Sequence, residues 1–584
     1  MSTLTPAPAT APDDVRPSPT QRVLDAYARL AAVDRPEVWI TLRPEADALA
    51  DAAAVEARLA AGEHLPLAGT VLAVKDNIDV AGLPTTAGHP DFERIAERTA
   101  TAVERLLDAG TVLLGKTNLD QFATGLTGSR SPYGAVRSAL VPDRVSGGSS
   151  AGSGAAVGLG VVDIGVATDT AGSGRVPAAF NGVVGIKPTF GLVPKDGVVP
   201  ACASYDCVSI LAPTLALATA AIRVMTGPAS ADPASSTWPA DVRLAAPAAP
   251  RVAVPRAADL AGLSPEALAR FAAARGRLEA SGAGVGEIDL TPLLAAARLL
   301  YDGALVAERY AAFGDFLAAH PEHADPSVAT IARGAGTVIG ADVVRDQQRL
   351  RALRAQSLAA LAGYDALLVP TAPEHPTLAA VAADPLGVNA RLGTYTNFVN
   401  LFGMAAVAVP GGTADGGLFG VTVVTRGFED QVGLDLAAVL AGEAGLPPEP
   451  YPSGGVPVVV FGAHLRGEPR NPQLEELGAR FVGDVTTAPD YAMHLAADGL
   501  RPVVVRTAAG AGAALPGEEW LLSPAALGTL LTTVDAPLAL GRVRLADGRA
   551  VVGFTGALTG EEPDITAAGG WRAHRRRRDR PGTT

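Results

Sequence analysis

Hydrophobic and polar positions along this chain fall into two alternating registers. Between residues 21 and 30, Gln21-Arg22-Val23-Leu24-Asp25-Ala26-Tyr27-Ala28-Arg29-Leu30 returns an apolar side chain every three or four positions, which predicts a helix. Thr70-Val71-Leu72-Ala73-Val74 is a short unbroken apolar run and predicts a buried strand. Residues 102–109 then read as helix, 111–114 as strand, 154–160 as helix and 161–167 as strand. Later runs at 367–371 and 405–409 read as strands of the same core. Helix and strand alternating in this way predict an α/β domain around a largely buried sheet. The run 446–455, Leu-Pro-Pro-Glu-Pro-Tyr-Pro-Ser-Gly-Gly, reads as a linker. Beyond it a smaller unit opens at 456–461, with strand-like runs at 502–506, 541–545 and 550–554.

The ends differ in composition from the middle. Residues 1–20, with Pro6, Pro8, Pro12, Pro17 and Pro19, read as a flexible tail. They lack a basic segment followed by an apolar one, so no secretory leader is expected. Arg575 to Arg578 form a basic run, expected as a solvated tail over 575–584. The expected organisation is therefore a catalytic domain over 21–445, a linker, and a C-terminal domain over 456–574.

Composition narrows the function. The 584 residues are 48% hydrophobic, enough for a sizeable core, although many of them are alanines of small packing volume. A formal charge of −13 argues against nucleic-acid binding. No window of 18 apolar residues occurs; the apolar stretch 211–222 is too short to span a membrane and contains Pro213. Cys202 and Cys207 make neither a disulfide framework nor a zinc site and fit two inert thiols in a cytoplasmic protein.

The candidate chemistry lies in two glycine- and serine-rich loops about twenty residues apart. In Asp169-Thr170-Ala171-Gly172-Ser173-Gly174-Arg175, Ser173 follows a predicted strand and is flanked by glycines that let a substrate approach. The backbone N–H groups of Thr170, Ala171 and Gly172 there could converge on an oxyanion. In Ser146-Gly147-Gly148-Ser149-Ser150-Ala151-Gly152-Ser153, Ser149 can relay a proton between Ser173 and a base. Lys75, in Val74-Lys75-Asp76-Asn77, ends an apolar strand where burial lowers a lysine pKa. To act as a base at neutral pH it must fall by roughly 3 units from about 10.4, or about 4 kcal/mol. A rival reading takes Gly148-Ser149-Ser150-Ala151-Gly152 as G-x-S-x-G, with Ser150 as nucleophile. That elbow needs a preceding strand, and residues 138–144 contain Pro142. It also needs a histidine partner, and neither His320, His323, His375 nor His464 sits in a triad context. A phosphate loop fails for lack of a following Gly-Lys-Ser/Thr.

With Lys75, Ser149 and Ser173 in place, the chain over about 21–445 resembles the amidase signature family, at that family's lysine, cis-serine and nucleophile positions. Lys116-Thr117-Asn118-Leu119-Asp120-Gln121-Phe122-Ala123-Thr124-Gly125-Leu126, Ser129-Arg130-Ser131-Pro132-Tyr133-Gly134 and the segment 169–181 resemble its allophanate hydrolases. So do Gly462-Ala463-His464-Leu465, Gly478-Ala479-Arg480-Phe481 and Gly569-Gly570-Trp571-Arg572 in the smaller unit. The resemblance implies a twisted mixed sheet wrapped by helices, followed by an α+β domain similar to the γ-glutamyl cyclotransferase-like fold. It implies no cofactor and no metal, and a homodimer. It implies allophanate as substrate, supplied by a separate biotin-dependent urea carboxylase, in urea degradation. Tyr301 and Arg309 match the family's substrate-anchoring pair. Eight residues apart on one helix they would stand about 12 Å apart along the axis. The chain departs from the family at Ser138, where asparagine is frequent, and at Thr555-Gly556-Ala557, where an acidic residue is expected. That leaves His464 as the candidate in the second domain. Two other readings remain: an amidase for a different small amide, and a non-catalytic or amidotransferase-type subunit.

Overall fold

The computed structural model describes residues 17–443, 449–508 and 510–578. They form two compact units, one of residues 17–237 with 249–443 and one of 238–248 with 449–578.

The larger unit is built on an eleven-stranded mixed sheet. Its order is Trp39–Leu42, Val112–Thr117, Val71–Lys75, Ile164–Asp169, Cys207–Ala212, Val184–Lys187, Ala405–Ala414, Gly417–Thr425, Ala366–Pro370, Arg251–Pro255 and Gly284–Ile288. The strands nearest the candidate chemistry are unbroken apolar runs because both faces are covered; every residue of Val71–Lys75 and Ile164–Asp169 is buried. These two pair in parallel, Val74 opposite Val166, so their C-terminal ends deliver Lys75 and Asp169 to the same edge. The helix Ala151–Gly158, rich in alanine and glycine, is buried along almost its whole length against the sheet.

The predicted strands at 70–74, 111–114, 161–167, 367–371 and 405–409 all exist, with ends shifted by a few residues. The apolar stretch 211–222 divides into the end of the strand Cys207–Ala212 and the helix Leu215–Met225, which Thr214 caps. The first helix runs Pro19–Val33, so the expected tail ends two residues early; a proline fits the first helical turn. Residues 1–16 of that tail lie outside the described residues.

The smaller unit has its own core around a five-stranded sheet ordered Arg480–Thr486, Pro516–Leu522, Val456–Val460, Ala550–Gly556 and Leu538–Arg544. A separate ribbon pairs Tyr491–Leu495 with Pro502–Arg506. Three boundaries differ from expectation. Residues 238–248 belong to this unit, not to the catalytic domain: Leu244 N–H donates to Gly478 O at 2.8 Å, and Ala525 N–H to Ala240 O at 3.0 Å. Within the expected linker, Tyr451 is buried edge-on against Trp238, 4.9 Å between ring centroids. Residues 446–448 of that linker lie outside the described residues. The basic run is the end of the helix Trp571–Arg578, in which Trp571 is buried and Arg575 pairs with Glu468.

Candidate active site

Lys75 is the last residue of its strand and has no exposed surface. Its Nζ lies 2.8 Å from Ser149 Oγ and 2.7 Å from Thr168 Oγ1. Burial pushes its pKa down to about 7, against the pull of Asp120, Asp206 and Asp169. The following residues are fixed in turn. Asp76 accepts from Thr86 Oγ1 at 2.5 Å and pairs with buried Lys116 at 3.3 Å. Asn77 donates to Val199 O at 3.1 Å.

The Gly148–Ser149 peptide bond is cis. Ser149 O accepts from the Asp120 N–H at 3.1 Å. The Asp120 carboxylate in turn gathers the N–H groups of Thr127, Gly128 and Arg130. It packs so close to Gly148 that a Cβ there would stand 2.0 Å from Asp120 Oδ2, which explains the glycine.

The second loop is tied from three sides. Asp169 ends its strand and forms a fully buried ion pair with Arg175, Nη2 to Oδ1 2.8 Å. Burial alone would raise the Asp169 pKa, but Arg175 outweighs it and holds the carboxyl at about 2. The same carboxylate accepts from Gly172 N at 2.9 Å and Gly174 N at 3.1 Å. Thr396 Oγ1 donates to Ala171 O at 2.6 Å, and Asn400 Nδ2 to Asp169 O at 2.7 Å. Gly172 has φ +123°, and a Cβ there would meet Thr396 Oγ1 at 2.5 Å. Ser173 sits in this clamp, 1% exposed, with its carbonyl accepting from Ser150 N at 3.3 Å.

These contacts revise the expected oxyanion donors. The Gly172 N–H is already engaged by Asp169, because that bond closes the turn. The N–H groups of Thr170, Ala171 and Ser173 meet no protein acceptor among the described residues. Ser150, the rival nucleophile, directs its Oγ to the Thr168 carbonyl at 3.1 Å, and no strand leads directly into its loop, the preceding one ending at Thr117. His375 lies elsewhere, stacked on Phe180 with Nε2 at 2.8 Å from Val145 O.

Tyr301 and Arg309 do meet, although not on one helix. The helix Thr291–Arg298 ends, a turn follows, and Asp346 takes the N–H of Ala304 before helical geometry resumes. Across this break the Arg309 guanidinium lies over the Tyr301 ring at 4.3 Å. Arg309 is fully buried. Its Nη1 donates to Leu300 O at 3.2 Å, while Nε and Nη2 have no acceptor among the described residues. Burial opposes its charge, but Cys202, Tyr301 and Asp206 more than offset this and raise its pKa. One of those neighbours, Asp206, accepts from Thr170 Oγ1 at 2.5 Å.

Thr168, Asp120, Asp206 and Asn400 were assigned no role from sequence. Asp120 lies inside a segment already singled out, and Thr168 falls between the predicted strand 161–167 and the loop that begins at Asp169. Asp206 and Asn400 carry no local motif and reach the site only through the fold.

In the smaller unit a pocket of about 520 Å³, its open mouth included, is lined by His464, Arg470, Arg501, Asp535 and Phe554. His464 stacks on Phe554 at 4.8 Å, and its Nε2 lies 2.9 Å from Gln473 Oε1. Burial lowers its pKa, so it favours the neutral ring. Among the described residues no group of three or more His, Cys, Asp or Glu is placed to hold a metal, and no single helix is long and apolar enough to cross a membrane.

The comparisons with known proteins fall on this division. Residues 22–434 match the amidase family model. The chain belongs to the amidase family. Residues 456–576 match the model of the allophanate hydrolase C-terminal domain. A urea amidolyase of Lachancea kluyveri is 40% identical over 569 residues, covering 92% of this chain and 31% of the relative. One from Saccharomyces cerevisiae is 39% identical, so this chain spans about 30% of the length of the urea amidolyases it matches. The structure of a Kluyveromyces lactis allophanate hydrolase superposes with TM-score 0.84 at 36% identity, over 96% of this chain and 97% of that one.

Proposed function

We propose that this member of the amidase family hydrolyses allophanate. The observation that carries the reading is Arg309: a fully buried guanidinium with two N–H-bearing nitrogens lacking acceptors among the described residues. A fork of this kind suits a carboxylate, and allophanate is a small amide that carries one. The likeness to an allophanate hydrolase along nearly the whole chain supports the same substrate.

In this reading Ser173 Oγ attacks the terminal amide carbon. Its proton passes to Ser149 while Ser149 passes its own to neutral Lys75. The N–H groups of Thr170, Ala171 and Ser173 hold the oxyanion. Ammonia leaves, and water then releases the acyl group. The dicarboxylated product loses carbon dioxide and its remaining nitrogen as ammonia, and the His464 pocket is the place we assign to that later step. Allophanate requires a urea-carboxylating activity upstream, in keeping with the urea amidolyases it resembles. The reading includes a homodimer, which sedimentation of the purified chain reads directly. It also includes a cytosolic setting, in keeping with Cys202 and Cys207 as separate buried thiols.

Replacing Arg309 tests the substrate. Arg309→Met is expected to lower kcat/KM for allophanate about 10- to 100-fold, the loss of charge-assisted hydrogen bonds, while sparing a neutral amide such as malonamide. An equal loss on both substrates would reject the carboxylate anchor and favour a different small amide.

A further inference from the structure

Asp206 is a buried carboxylate to which the acyl-transfer steps above give no role. It precedes the strand Cys207–Ala212, which pairs antiparallel with Ile164–Asp169 so that Cys207 stands opposite Asp169. That register sets Asp206 beside Thr170, the first residue past the neighbouring strand. Its carboxylate accepts from Thr170 Oγ1 at 2.5 Å, Ala201 N at 2.9 Å and Cys202 N at 3.1 Å. Tyr205 N and Asp206 N both donate to Cys202 O at 2.9 Å, so the turn that presents the carboxylate is itself closed. Three hydrogen-bond donors from two chain segments thus converge on one side chain in four contacts, Cys202 N reaching both oxygens.

We propose that Asp206 is a positioning residue for the acyl-transfer reaction: through Thr170 it aims the first N–H of the oxyanion run. Around Lys75 the charged groups are Asp120, Asp206 and Asp169. Around Arg309 the titratable groups are Cys202, Tyr301 and Asp206. Asp206 is common to both sets; burial raises its own pKa, while the hydrogen bonds from Thr170, Cys202 and Ala201 and the charge of Lys195 favour its anion. Its two effects differ in sign for the rate. Holding Thr170 fixes an oxyanion donor before the substrate arrives, which favours the transition state. Its charge favours protonated Lys75, which opposes general-base action below neutral pH.

That opposition makes the role testable apart from simple folding. The inference rests on the acyl-transfer reading, so wild-type ammonia release from allophanate is the reference. In Asp206→Asn, kcat is expected to fall roughly tenfold or more, since one misaimed group can matter that much. The acid limb of the pH profile is expected to move to lower pH by about half a unit or more, because a negative charge near Lys75 is gone. Thr170→Val, which loses the hydroxyl but keeps Asp206, is expected to lower kcat with little change in KM and no shift of the acid limb. Thr170→Ser, which keeps the hydroxyl, is expected to recover most of that loss. If Asp206→Asn does not fold, the Thr170 pair decides. Folded variants of both positions with wild-type kcat and an unmoved acid limb would overturn the proposal. A wild-type chain inactive on allophanate would instead overturn the reading on which it rests.

Discussion

Lys75 owes its chemistry to where its strand ends. An ammonium with no exposed surface loses its hydration, and three carboxylates nearby compensate only in part, leaving a pKa of about 7. A neutral amine next to Ser149 is what a proton relay needs, so the sign of the pH dependence follows. Below about 7 Lys75 is protonated and cannot accept, and kcat/KM should fall about tenfold per pH unit. A pH profile flat from 5 to 8 would remove Lys75 from the base role. At this scale the sequence was most legible. Lys75 could be read because an unbroken apolar run before a lysine implies burial. Ser173 and Ser149 could be read because glycines around a serine imply close backbone approach. The Gly172 N–H could not, because its partner depends on how the Asp169 carboxylate turns back over its own loop.

The element that organises the site is the turn following the strand Ile164–Asp169. Asp169 binds two backbone N–H groups of this turn and the guanidinium of Arg175, and Thr396 and Asn400 donate to the turn's backbone carbonyls. Asp169→Asn would leave Arg175 buried without its counter-charge. It should destabilise the larger unit by about 3–5 kcal/mol, read by denaturant unfolding, in addition to any loss of rate. A variant of wild-type stability would show that Arg175 finds another partner. Strands were legible from apolar runs because both faces of this sheet are covered. The segment 299–309 was not legible, because its periodicity suits one helix while Asp346, 42 residues on in the chain, takes the N–H of Ala304 where the helix is interrupted. Tyr301 and Arg309 meet, but across a break and not along one helix.

At the scale of the whole molecule, two units with separate cores divide the chain. The boundary near residue 446 could be seen in its prolines and glycines. The crossing of residues 238–248 into the smaller unit could not, since nothing in their composition marks the few hydrogen bonds and the Trp238–Tyr451 contact that hold them. The account assigns the units successive steps. His464→Ala is therefore expected to leave Ser173-dependent release of the first ammonia near the wild-type rate and to slow carbon dioxide release, measured in the same reaction. Equal slowing of both products would tie the smaller unit to the first step instead.

The central claim is best tested by measuring ammonia and carbon dioxide released by the purified protein from allophanate, beside acetamide, malonamide, biuret and urea, with Ser173→Ala as control. The account predicts a strong preference for allophanate that Ser173→Ala abolishes. Turnover of the simple amides alone, with none of allophanate, would keep the amidase chemistry and contradict the assignment of its substrate.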